Sequence, residues 1–213
     1  MTTAGEISAA IEQLRTVHPD AVLSVGHSSQ TRIRLAAWAV EIAAGLHDRF
    51  GDQVSLTVGL LAYPHPAVGG ASEEARPVRS KRAALPAPDR FEVRMEQPTE
   101  VRSGYSFQGT IHVRNLRSEE IRVLTNGRVT GVVVDPSSGE VVGGFAGAQA
   151  MVGIQMPIAP REERPIPLLV GTASRVPRLG YAVPPGLWTI EMDLTLVEGG
   201  RFRTPRFPLT VTP

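Results

Sequence analysis

The 213-residue sequence contains no cysteine, which excludes disulfides, thiolate metal sites and a cysteine nucleophile. It also removes the staples that small secreted domains rely on. Of the 22 basic residues, Lys81 alone is a lysine. We read this as the codon bias of a GC-rich genome. The competing reading, selection for bidentate carboxylate or phosphate contacts, is opposed by the scatter of the arginines. Aromatic residues make up 5% of the chain, and none interleaves with arginine along an expected strand. That argues against a stacking platform for single-stranded nucleic acid. The net charge of +1 is too small to attract nucleic acid or a membrane surface by field alone. No apolar run approaches the roughly 20 residues of a membrane span. Residues 1–20 show neither the basic nor the apolar region of a signal peptide. A cytoplasmic protein with no nucleic-acid or membrane partner is expected.

What is present is ordinary globular material, 42% hydrophobic and 20% charged, enough for one core or one core with a small satellite. The clearest strand signal is YSFQGTIHVRN at 105–115. Tyr105, Phe107, Ile111 and Val113 alternate with polar partners in the two-residue period of a half-buried strand. A second clear strand places Trp188, Ile190, Met192, Leu194 and Leu196 opposite Thr189, Glu191, Asp193 and Thr195. Between and around these lie short strands at 91–95, 121–125, 129–134 and 152–156. A proline- and charge-rich stretch covers 158–167, a buried run 168–170, a loop 175–185, and a closing strand 201–211. Asn126-Gly127 reads as a two-residue hairpin turn. Asp135-Pro136-Ser137-Ser138-Gly139 reads as a second turn. Eight or nine short strands at near-regular spacing mark an immunoglobulin-like (Ig-like) antiparallel β-sandwich over 91–213.

Before it, residues 5–16 show a helical stripe of Ile7, Ala10, Ile11 and Leu14. A short strand follows at 21–25. Leu35, Trp38, Ile42, Leu46 and Phe50 fall at helical spacing, so a helix is expected over 30–50, ended by Gly51-Asp52. Val54, Leu56, Val58 and Leu60 then alternate as a strand. Residues 1–63 are thus a small α/β (helix-strand-helix-strand) unit, and 64–90, rich in proline and glycine, is a linker with a basic cluster at Arg76, Arg79, Lys81 and Arg82. The fold class is α+β, an Ig-like antiparallel β-sandwich preceded by a small α/β unit.

Residues 105–197 resemble bacterial Ig-like domains of the intracellular proteinase inhibitor type. The resemblance rests on Val-Arg-Asn at 113–115, the Val-Asp-x-x-x-Gly turn at 134–139, and Pro-Pro-Gly-Leu-Trp-Thr-Ile at 184–190. Where that family has Pro-Gly before its middle strand, this chain has Pro160-Arg161-Glu162-Glu163. The resemblance implies a non-catalytic binding or inhibitory role and carries no functional residue across.

No residue set qualifies as catalytic, cofactor-binding or metal-ligating. The histidines at 18, 27, 47, 65 and 112 lack the three- or four-residue spacing of a helical metal site. His112 is expected on the outer face of its strand, and His47 near a helix C-terminus, where a cation suits the dipole. The 135–140 turn lacks the ligand pattern of a calcium loop. Gly26-His27-Ser28-Ser29, between an expected strand and helix, is the best phosphate-cradle candidate. It lacks the glycines and lysine of a P-loop. Two function classes stay open. One is a non-catalytic interaction or assembly protein, with a protein partner or itself as partner through the helix carrying Trp38. The other is a small-molecule (anion or sugar) binding module or enzyme with a site between the two units, where Arg175, Arg178 and Tyr181 recognise the ligand.

Overall fold

A computed structural model describes residues 4–65, 68, 91–96, 100–149, 152–197 and 200–213. The linker expected over 64–90, with its basic cluster, lies almost wholly outside the described residues.

Helix α1 (Ala4–Val17) buries Ile7, Ala10 and Ile11, the stripe its spacing requires. Strands β1 (Val22–His27) and β2 (Thr31–Leu35) form an antiparallel hairpin. Helix α2 (Val40–Phe50) leads to β3 (Val54–Val58), which lies parallel to β2 and antiparallel to β4 (Leu61–Tyr63). Parallel neighbours cannot be joined by a tight turn, so α2 supplies the crossover. The helix expected over 30–50 therefore begins only at Val40, and the unit runs helix-strand-strand-helix-strand-strand. Ile33 and Leu35 point into the core while Arg32 and Arg34 point out, a strand period that wins over the helical spacing of Leu35 and Trp38. Trp38 sits in the turn ahead of α2. The sheet runs β1-β2-β3-β4. Its Ile33, Leu35, Leu56 and Val58 pack with Ile7 and Ile11 of α1 and Leu46 and Phe50 of α2.

The sandwich consists of β5 (Phe91–Met95), β6 (Glu100–Arg102), β7 (Ser106–Asn115), β8 (Ile121–Thr125), β9 (Val129–Val134) and β10 (Val141–Gly144). It continues with β11 (Ile154–Ile158), β12 (Glu163–Gly171), β13 (Ala173–Ser174), β14 (Gly186–Leu196), β15 (Gly200–Arg203) and β16 (Phe207–Thr212). The expected architecture, an Ig-like β-sandwich behind a small α/β unit, is the observed one. Strand β14 is its spine. The first part of its eleven residues pairs with β16 and β9, the last part with β15 and β8. On one flank β15 hands over to β16 at Thr204. The Thr204 N–H donates to the Met192 carbonyl at 2.9 Å, and its hydroxyl accepts the Met192 N–H at 3.1 Å. On the other flank β8 hands over to β9 across Asn126-Gly127. The hairpin expected there is a crossing between sheets: β8 and β9 do not pair with each other, and the Thr125 hydroxyl accepts the Gly127 N–H at 2.7 Å.

Residues 163–167, part of the stretch read only as proline- and charge-rich, are the first half of β12. Pro165 and Pro167 are tolerated because β9 pairs only with Leu168–Val170, leaving the proline half bound to β7 alone. On that side the Thr110 carbonyl opposite Pro167 is turned toward β5, where it accepts the Glu96 N–H at 2.9 Å. No N–H from Pro167 is required. Asn115 closes the same region. Fully buried, its amide donates to the carbonyls of Glu119, Ile158 and Ala159 at 2.7, 3.1 and 3.2 Å, and its Oδ1 accepts the Arg117 N–H at 2.9 Å.

Two glycines give predictions of opposite sign. A Cβ at Gly171 would lie 2.7 Å from the Phe145 Cα, a backbone atom that cannot rotate away. Gly171→Ala should cost about 1–3 kcal/mol. Gly45, inside α2, has open space around it, so Gly45→Ala should gain about 0.5–1 kcal/mol. Urea unfolding of both variants checks the pair.

Candidate functional site

The residues singled out from the sequence are held in place by contacts within the chain. The Trp38 ring stacks on Tyr105 of the sandwich, centroids 5.6 Å apart and planes 9° from parallel. The Arg102 guanidinium lies 5.3 Å over the far ring, and His18 meets Trp38 edge-on at 6.3 Å. Gly104 makes this approach feasible. Its φ of +82° is open to glycine, and a Cβ there would stand 2.9 Å from the Trp38 nitrogen. Tyr181 is buried in the core of the α/β unit. Its hydroxyl accepts the His65 N–H at 3.0 Å, and its ring lies 5.8 Å from that of Tyr63. Burial first, then Tyr181, pushes the Tyr63 phenol above its ordinary value. Ala37, Ala146 and Ala173 fill the space beside them. Arg178 instead turns to Glu140 on the β9–β10 hairpin, and Arg175 lies against Gly144. Of the three residues expected to meet on a ligand, Tyr181 is thus turned into the α/β core, while Arg175 and Arg178 lie along β10 and the turn before it. The buried face of α2, Ala43, Leu46 and Phe50, is turned to its own core.

The phosphate-cradle candidate loses its helix, because the Ser28-Ser29 turn leads into β2. The described residues hold no group of three or more histidine, aspartate or glutamate side chains able to bind a metal. Nor is any described helix long and apolar enough to cross a membrane.

Two surfaces remain. The first is the outer side of β8 and its surroundings. Leu124, Val152 and Val197 are 42%, 65% and 42% exposed there, whereas Ile154, 45% exposed, pairs with the inward-facing Thr125 and so stands on the opposite face of its strand. Leu124 and Val152 line an open depression of about 370 Å³ together with Asn126, Arg128, Thr130, Gln149 and Asp193. The neighbouring edge strand β11 is blunted against strand addition. Pro157 has no N–H, and its carbonyl is taken by the Arg164 guanidinium. A partner would meet this apolar ledge from its face. Reading the sequence for inward residues, Ile121 and Val123, passed over Leu124. A large aliphatic residue at an outward position was the available signal.

The second surface, the outer face of β5, β7 and β12, is charged but internally satisfied. His112 lies between Glu96 and Glu163, Nε2 to Oε1 at 2.7 Å and Nδ1 to Oε1 at 3.2 Å, and Arg94 pairs with Glu163.

No protein-family model matches the chain, and no curated protein matches it. Among solved structures, the native conformation of E. coli alpha-2-macroglobulin is 14% identical over 58% of this chain, at a TM-score of 0.36, so the chain spans 7% of that protein. The CARDB domain of a Pyrococcus furiosus protein, in complex with di-metal ions, is 14% identical over 61% of this chain and 95% of its own, at 0.32. The CooA pilin subunit of enterotoxigenic Escherichia coli is 11% identical over 58% and 99%, at 0.30. Likeness at this level carries no argument about function, and the fold assignment rests on the strand pairing above. The proteinase-inhibitor family is not shown.

Two predictions follow from these contacts. Trp38→Ala removes the stack that ties the α/β unit to the sandwich, and should cost about 2 kcal/mol by urea unfolding. The Arg94 guanidinium holds the Glu163 carboxyl below its ordinary value of 4.5. The pair therefore contributes above pH 4.5 and fades as pH falls through the lowered value. Stability curves of the native chain and Arg94→Gln should differ slightly at pH 7 and converge near pH 2.

Proposed function

We propose that this protein is a non-catalytic interaction protein whose sandwich offers the ledge of Leu124, Val152 and Val197 to a protein partner. The observation that carries this reading is the exposure of three large apolar side chains, Leu124, Val152 and Val197, at one end of one sheet, beside an open depression. Single exposed apolar residues are ordinary, whereas a group with a polar rim marks a contact surface. Gln155, Thr195 and Arg122 supply that rim, since Gln155 and Thr195 are the cross-strand partners of Leu124. The aromatic stack fixes the α/β unit to the sandwich, so a partner on either unit meets a single body. The resemblance of residues 105–197 to inhibitor-type domains supports a proteinase as one such partner. A second copy of the chain is another. No cofactor enters this reading, and composition supports the cytoplasm as the location.

Photo-crosslinking tests it. A benzoylphenylalanine at position 124 of the full chain, expressed in the native cell, should give one discrete adduct. That adduct should disappear when Val152→Asp and Val197→Asp are added. An equivalent probe at the exposed Val17 serves as background. Adducts at 124 no stronger than at 17 would contradict the proposal.

A further inference from the structure

The four-stranded sheet carries both helices on one face, and no described residue covers the other. Its inward side chains, Ile33, Leu35, Val54, Leu56 and Val58, are the core. Outward stand Arg32 and Arg34, both exposed. Their cross-strand neighbours are Gly26 and Ser55 for Arg32, and Ser24 and Thr57 for Arg34. Every one of these neighbours is small, and none is a carboxylate. Among the described residues, the Arg32 and Arg34 side chains have no hydrogen-bond or ion-pair partner. This sets them apart from Arg94, Arg178, Arg201 and Arg206, each of which is paired with a carboxylate of this chain.

Two guanidinium groups two residues apart on one strand face stand about 6.6 Å apart along it. An extended peptide with acidic residues at alternate positions presents its carboxylates at the same spacing, so each arginine can take one carboxylate in a two-pronged hydrogen bond. The small neighbours leave room for a chain to lie flat across the sheet. None of the outward residues is aromatic, so bases would have nothing to stack on, which disfavours single-stranded nucleic acid. We infer that this open face is a docking surface for an extended acidic segment of a partner protein, read by Arg32 and Arg34. The inference rests on the interaction reading in taking the occupant to be a protein. It uses residues separate from the Leu124 ledge, so the two fail independently.

Fluorescence anisotropy on the full chain at low salt tests it, with three labelled probes of equal charge. These are a twelve-residue peptide of alternating serine and glutamate, an isomer with the glutamates in one block, and an oligothymidylate. The alternating peptide should bind best. Its Kd should rise about tenfold in Arg32→Gln/Arg34→Gln, with the thermal midpoint unchanged. Arg32→Lys/Arg34→Lys keeps the charge but loses the planar fork, and should bind with intermediate affinity. Arg15→Gln/Arg49→Gln, an equal loss of charge elsewhere, should leave Kd unchanged. Three results would overturn the inference: no binding of the alternating peptide, equal binding of the two peptide isomers, or no effect of the double glutamine variant. Tighter binding of the oligothymidylate through the same arginines would overturn it in favour of nucleic acid.

Discussion

The sandwich depends on one strand serving two sheets. β14 can do so because its alternation is unbroken through Trp188, Ile190, Met192, Leu194 and Leu196, so the same side stays buried while the hydrogen-bonded neighbours change. The change needs a break in each flanking strand. Thr204 supplies one by bonding both backbone groups of Met192, and the 126–128 crossing supplies the other. The proline half of β12 and the Asn115 hub then fall where the sheets diverge. Backbone groups left without ladder partners there are met by a side chain.

This arrangement decides which surfaces are free. The α/β unit is fixed by Trp38 on Tyr105 and by Tyr181 in its own core, so the residues that most resembled a binding set in the sequence are spent on internal contacts. The charged face around His112 is satisfied by its own pairs. The apolar ledge at β8 and the arginine face at β2 are different: each exposes groups that no described part of the chain satisfies or covers.

Much of the fold was legible in the sequence because two-residue alternation over 105–115 and 188–196 has no helical competitor. The misreadings occurred where two signals overlapped or where a local rule was overridden by distant partners. Thr31–Leu35 alternates as a strand, but Leu35 and Trp38 also fit a helix, and the decisive partner, β3, pairs with residues 23 positions on. Pro165 and Pro167 marked only a proline- and charge-rich stretch. They are accommodated by the facing direction of the Thr110 carbonyl, which no local pattern encodes. Asn126-Gly127 carries the hairpin signal but leads to different neighbours. The same misreading of residues 31–35 hid Arg32 and Arg34, since outward residues become visible only once the strand is recognised.

The most direct test of this account is the urea stability of Leu124→Thr/Val197→Thr. If the ledge exists for a partner, the fold does not need it. The midpoint should then stay within about 0.5 kcal/mol of the native chain. A loss of about 2 kcal/mol or more would show that these side chains are held by the sandwich itself, and the ledge would no longer stand as a partner surface.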